Sequence, residues 1–197
     1  MNHFNIHTAE DAPVAARDTV KMLHAKMGMV PNLVGVMAES PVLLKGWVEL
    51  KNIAEHGLFS PVEREIVQMT VSYLNDCGYC MAAHTAISLK SGLQVDIIEA
   101  LRHDKPLKDA KLEQLHLFTK AVMKRLGRAD VADIDAFIKA GYTQAHVLEV
   151  VLGISLATLT NYTNHIAQTP VDTAFDAHRV ERRIDGHIED KRHSSAA

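Results

Sequence analysis

Apolar residues recur at spacings of three and four along nearly all of this 197-residue chain, and the gaps between those runs fall on helix-capping signals. Strict apolar/polar alternation, the mark of a half-buried strand, is scarce. A chain patterned this way buries its apolar stripes only against other helices. The pattern predicts an all-α helical bundle of about eight helices and no sheet.

The boundaries follow from the breakers. A first helix runs from about Pro13 to Met27, with Val14, Val20 and Leu23 inward, and Gly28 ends it. A short helix covers Asn32 to Ala38. Ser40-Pro41 supplies an N-cap and a proline at the first helical position for the next, which ends at Gly57. Ser60-Pro61-Val62-Glu63 is a capping box opening a helix to about Leu74. Asn75-Asp76 breaks it, and another helix starts at or just before Cys77 and stops at Gly92. Val95 to Leu101, Asp109 to Leu126, and a segment from Asp130 to Gly141 follow. Thr143 caps a last helix to about Ile166, apolar nearly all round between Val147 and Leu159, which predicts the buried central helix.

Composition excludes several classes of function. The chain is 47% hydrophobic and 23% charged, an ordinary globular balance. Net charge is -3 with Lys and Arg scattered, so no basic stripe points to nucleic acid. No apolar run reaches the roughly 20 residues of a membrane span, and Met1 to Glu10 lack a signal-peptide pattern. The expectation is a cytoplasmic protein with no nucleic-acid or membrane partner. Residues 1–175 read as one helical domain. Residues 176–197, rich in Arg, Asp, Glu and His, read as a polar arm or disordered tail.

The chemistry concentrates near Cys77 and Cys80, the two cysteines of the chain. In a reducing compartment this CxxC reads as redox or metal chemistry before it reads as a staple. Cys77, Cys80 and His84 fall at i, i+3 and i+7, on one face of a helix, and residues three apart are close enough to bridge. Cys77 lies at the helix N-terminus, where free N–H groups favour a thiolate. Cys80, one turn in, needs a base, and His84 is one turn further on. A carboxylate on the preceding helix could orient that imidazole. Glu63 and Glu65 both flank the stripe Val62, Ile66, Met69 and Tyr73, so periodicity does not choose; Glu63 has the capping box to serve, leaving Glu65 the freer group.

Glu65, eleven residues, then Cys77-Gly78-Tyr79-Cys80-Met81-Ala82-Ala83-His84 resembles the E-x11-C-x-x-C-x-x-x-H pattern of the alkyl hydroperoxidase D and carboxymuconolactone decarboxylase superfamily, most of all its peroxidase-related members. The likeness is sharp over 60–92 and looser over Val30 to Leu50 and at Asn161-Tyr162-Thr163-Asn164-His165. The resemblance implies an all-helical domain assembling into trimers or hexamers. It implies a thiol peroxidase or disulfide reductase without metal or organic cofactor. Its substrate would be a hydroperoxide and its reductant an external dithiol. On that pattern Cys80 attacks the peroxide, Cys77 resolves, and Glu65 with His84 moves protons. The best-known hydroperoxidases carry a histidine directly before the second cysteine; this chain has Tyr79.

Other readings stand beside this one. The cysteines and His84 could hold zinc, with His56 or His165 as a fourth ligand. A general thiol–disulfide oxidoreductase, a decarboxylase of the same superfamily, and a non-enzymatic redox-sensing assembly protein are the rival functions. Asn161 and His165, at the end of an apolar helix, read as capping or surface residues. Tyr79 reads as packing, and Trp47 with Leu43, Leu44 and Leu50 as core or subunit contact.

Overall fold

The structure is a computed structural model describing residues 3–180. Among these residues there are nine α-helices, one 3-10 helix and no strand: α1 (Val14–Met27), α2 (Asn32–Met37), α3 (Pro41–Glu55), α4 (Pro61–Leu74), α5 (Gly78–Lys90), α6 (Val95–Arg102), α7 (Ala110–Lys124), α8 (Val131–Lys139), α9 (Gln144–Ala167) and the 3-10 turn Thr173–His178. All the α-helices except α2 have eight residues or more, which meets the expected count. The predicted caps hold. Ser40 Oγ accepts from the Leu43 N–H, and Ser60 and Glu63 form the reciprocal capping box of α4. Gly28 closes α1 in the left-handed conformation at φ 78°.

The central helix is α4 rather than α9. Residues 66 to 72 of α4 are buried without interruption, more than a full turn, so every face of that stretch is covered. It packs against α5, α6, α7 and α9. Burying a side chain such as Ile66 or Met69 stabilises the fold by about 1.5–3 kcal/mol each. In α9, Val150, Leu156 and Ala157 are buried, but Leu148 (71% exposed), Val151, Tyr162 and Ile166 (72%) face outward. Among the described residues, the apolar circumference of α9 is only partly covered. By length and composition α9 could cross a membrane; here it is packed on α2, α3, α4 and α7.

Two smaller expectations also shift. Val14, at the exposed first position of α1, points to solvent, and Ala16 takes the core position. Leu126 lies past the end of α7 with φ 52° and is exposed. Around α4, the main core joins Ile66, Met69, Leu101, Leu115, Phe118 and Phe137. A second core ties α1 and α2 to α3 through Val20, Leu23, Val34, Met37 and Leu44. His116 is fully enclosed in the first core. Its Nδ1 pairs with the Thr70 hydroxyl (2.8 Å), and its Nε2 pairs with the Asp104 carboxylate (3.1 Å). Burial holds this imidazole below its ordinary pKa, so it stays neutral.

The chain beyond α9 turns back over the N-terminal end of α5. Gln168 closes α9 in the left-handed conformation, and Asp172 and Phe175 are buried. Residues 176–180, expected in a polar arm, are thus anchored to the helical body through His178, whose carbonyl accepts from Arg102. Residues 181–197 of the expected tail lie outside the described residues.

Candidate active site

Asn75 closes α4, and Asp76 takes a left-handed φ of 53°, a conformation that a short polar side chain tolerates. This reverses the chain and delivers Cys77 as the N-cap of α5 rather than as a residue inside it. The Cys77 N–H donates to the Ser72 carbonyl (2.9 Å), pinning the cysteine to the end of α4. Cys77 Sγ accepts from the Cys80 N–H (3.4 Å), one of the free amides at the start of α5. Cys77 and Cys80 form a disulfide with Cα atoms 5.4 Å apart. Both are enclosed, at 1% and 2% exposure.

Glu65 on α4 meets His84 on α5. The His84 Nδ1–H donates to Glu65 Oε2 (2.8 Å), and the Ser88 hydroxyl donates to the same oxygen (3.2 Å). Both side chains keep about a fifth of their surface exposed. Burial pushes the Glu65 carboxyl upward, but the His84 charge and the hydrogen bonds from His84 and Ser88 outweigh it, leaving the pKa below the usual carboxylate range. With Nδ1 committed to Glu65, Nε2 of His84 is the nitrogen left to take up or return a proton. Glu63, the other candidate, is held in the capping box and pairs with Lys111 (3.3 Å), so the structure separates what periodicity could not.

Cys80, His84 and Glu65 line one cavity of about 640 Å³. That falls within the range of small-molecule sites. Its other walls are mostly apolar, with Met27, Leu33, Trp47, Phe59, Ile87 and Leu156 among them. Trp47 therefore serves the cavity as well as the packing of α3. Cys77 does not reach this space. It lines a separate, smaller pocket of about 160 Å³ with Arg102 and Met81, so the two sulfurs do not share one open face.

Tyr79, between the cysteines, does more than pack. Its hydroxyl donates to Asp172 Oδ2 (2.6 Å) and accepts from the Leu33 N–H (3.2 Å), and Phe175 stands edge-on to its ring. Burial and the neighbouring Asp172 carboxylate push the phenol well above its ordinary value, so it remains a donor. Asp172 also accepts from the Asn32 N–H (2.9 Å). Thus α2, α5 and the segment after α9 are joined across one buried carboxylate.

Asn161 is neither a cap nor a surface group. It is fully buried, accepts from Asn75 Nδ2 (2.9 Å) and donates to Ser72 Oγ (3.3 Å). Asn164, one turn on, donates from Nδ2 to Cys77 Sγ (3.4 Å). The sequence reading passed over Asn164 and Asp172. A signal for Asn164 existed, because Ala157, Asn161 and Asn164 fall on one buried stripe of an apolar helix. For Asp172, in an irregular polar stretch, no local signal existed. Tyr162 stacks on His165, and neither His165 nor His56 joins the cysteines: among the described residues no three His, Cys, Asp or Glu side chains converge to hold a metal.

Residues 41–120 match the model of the carboxymuconolactone decarboxylase family. No curated protein matches the chain. Among solved structures, an uncharacterized peroxidase-related protein from Silicibacter sp. TM1040 is similar at 21% identity and a TM-score of 0.74, over 86% of this chain and 91% of that one. An uncharacterized peroxidase-related protein from Ralstonia eutropha JMP134, described as an alkylhydroperoxidase AhpD core, is also 21% identical, with a TM-score of 0.74, over 87% and 93%. The debrominase Bmp8, as a cysteine-to-alanine variant in complex with 2,3,4-tribromopyrrole, shares the fold at 15% identity and a TM-score of 0.76, over 90% and 96%. The matched segment runs from α3 into α7, with both cysteines, His84 and Glu65 inside it, and the fold of the chain is that of these alkylhydroperoxidase-like, peroxidase-related proteins.

Proposed function

We propose that the protein is a thiol peroxidase that reduces organic hydroperoxides through a Cys77–Cys80 disulfide. The observation that carries this reading is the shared cavity, which gathers Cys80, His84 and its carboxylate partner Glu65 on one wall. The fold alone would not do so, since a debrominase has it too.

In the reduced enzyme His84 Nε2 takes the Cys80 proton, and Glu65 holds the resulting imidazolium. The Cys80 thiolate attacks the distal oxygen of ROOH. The O–O bond breaks, Cys80 becomes a sulfenic acid, and the alkoxide leaves as ROH with the proton from His84. Cys77 thiolate then attacks the Cys80 sulfur. Hydroxide departs, is protonated to water, and the disulfide forms. An external dithiol reduces the pair and is itself oxidised to a disulfide. Such a cycle calls for a reducing compartment, so the reading includes a cytoplasmic location. The volume and apolar lining of the cavity favour an uncharged organic group on the peroxide over hydrogen peroxide alone.

The exposed stripe on α9, with Leu148, Val151, Tyr162 and Ile166, would be covered in an assembly of like copies, the trimer or hexamer that the family resemblance implies.

Thiol titration of the reduced wild type, Cys77→Ser and Cys80→Ser before and after an organic hydroperoxide tests the reading. The wild type is expected to lose two thiols, and Cys77→Ser to yield a trappable sulfenic acid on Cys80. Sulfenic acid on Cys77 in Cys80→Ser would reverse the roles. No thiol loss with peroxide, alongside rapid exchange with protein disulfides, would replace the peroxidase with a general thiol–disulfide oxidoreductase.

A further inference from the structure

The mechanism above asks Cys77 to be a thiolate twice, once as the nucleophile that closes the disulfide and once as the group expelled when a donor thiol attacks Cys80. Cys77 faces away from the cavity that holds His84 and Glu65, so that base pair serves Cys80. What surrounds Cys77 instead is a set of N–H donors. The Cys80 amide points at its sulfur from the first turn of α5 (3.4 Å), and the Asn164 side-chain amide points at the same sulfur from α9 (3.4 Å).

The Asn164 contact is a built one. The residue is buried, and its Nδ2 rather than its oxygen must face the sulfur, because a bridged sulfur offers lone pairs and no proton. Its Oδ1 has no hydrogen-bond partner among the described residues, although it is fully enclosed. An amide placed for packing alone would give up neither group. Asn161, one turn earlier, has both ends satisfied and fastens this stretch of α9 to Ser72 and Asn75. Ser72 also receives the Cys77 N–H, so the donor and the sulfur it serves are indexed to the same end of α4.

We propose that Asn164 is a catalytic hydrogen-bond donor that, with the Cys80 amide, holds Cys77 as a thiolate in both halves of the cycle. In the oxidative half, the Cys77 electron pair forms the S–S bond while the Cys80 S–O bond breaks and water leaves after protonation. In the reductive half, a thiolate of the external dithiol attacks Cys80, the S–S bond breaks, and its electron pair goes to Cys77 Sγ, where the Asn164 N–H receives the new charge. The second donor thiol then frees Cys80 and the donor leaves as a disulfide.

The inference deepens the peroxidase reading and rests on it for the roles of the steps, but its test needs no peroxide. In reduced protein carrying Cys80→Ser, the pH dependence of Cys77 alkylation by iodoacetamide reports its thiolate directly. Asn164→Leu is expected to move the midpoint upward by about one unit, since a lost hydrogen bond to a charged sulfur is of that order. Asn164→Asp, nearly the same size and lacking the donor, is expected to move it further, because a second negative charge faces the sulfur. Asn164→Gln, which keeps the donor, is expected to recover part of the shift. In the otherwise wild-type protein, Asn164→Leu is expected to slow reduction of the disulfide by dithiothreitol about tenfold at neutral pH. A folded Asn164→Asp or Asn164→Leu protein whose Cys77 midpoint stays at the parent value would overturn the inference. If the midpoint moves as expected and the wild type does not consume hydroperoxides, the peroxidase reading fails while the donor role of Asn164 stands.

Discussion

Tyr79→Phe isolates one hydroxyl that three parts of the chain share. The hydroxyl donates to the buried carboxylate of Asp172 and accepts from the Leu33 N–H. A hydrogen bond to a charged group is worth about 1.5–3 kcal/mol, and an orphaned buried N–H costs a further ~1–3 kcal/mol. Asp172 keeps the Asn32 N–H, which softens the loss. The working figure is therefore about 3 kcal/mol. For a chain of this length 1 kcal/mol corresponds to about 2–4 °C, so Tm is expected to fall by about 6–12 °C. Calorimetry on the oxidised protein at neutral pH and fixed concentration reads it. Asp172→Asn provides the second arm of a double-mutant cycle, and the two changes are expected to couple by more than about 1 kcal/mol. A Tm loss under about 2 °C, or simple additivity with Asp172→Asn, would refute the claim that this carboxylate and phenol join α2, α5 and the returning segment.

Removing the carboxylate with Glu65→Gln is expected to lower the rate of Cys80 oxidation by organic hydroperoxide about 10²–10³-fold, while Cys77→Ser at the same time point still forms sulfenic acid; stopped-flow fluorescence or thiol consumption measures it. Because the Glu65 pKa lies below the ordinary carboxylate value, the rate should not fall through loss of this carboxylate until pH drops below about 4.5, and a decline near neutrality must come from another group. His116 sets a different pH limit. Its folded pKa is depressed, so its contribution to stability is present above about pH 6.5 and is lost as pH falls through the folded value. Chemical denaturation at pH 7.5 and 5.5 should show that loss in the wild type and a smaller one in His116→Asn. Leu148→Lys with Ile166→Lys, on the exposed stripe of α9, is expected to reduce the molar mass seen by light scattering from an assembly to a single chain, with helicity retained.

The helices were legible because their ends are chemical signals. Ser40, Ser60 and Thr143 all cap where the sequence placed them. The pairing of Glu65 with His84 was legible as a spacing but not as a choice against Glu63, since both carboxylates border the same stripe. Only the capping box and Lys111 take Glu63 away. The buried helix was misplaced because burial depends on how many neighbours surround a helix, not on its apolar content alone. α9 is more apolar at its centre, yet α4 has neighbours on every side. Asp172 was invisible because its partners Tyr79 and Asn32 lie far away along the chain, beyond the range of local periodicity.

The returning segment after α9 carries no helix of the bundle, yet it touches Asn32, Tyr79 and Arg102. A protease that nicked the chain just past Ala167 would leave the nine described α-helices covalently intact and loosen the cover over the sulfurs. Circular dichroism would scarcely register the cut, whereas a bulky maleimide would find Cys77 in reduced protein far sooner. Access to the thiols is thus governed by a stretch that lies outside the nine described α-helices, and its loss would be felt at the sulfurs before it was felt in the helical content.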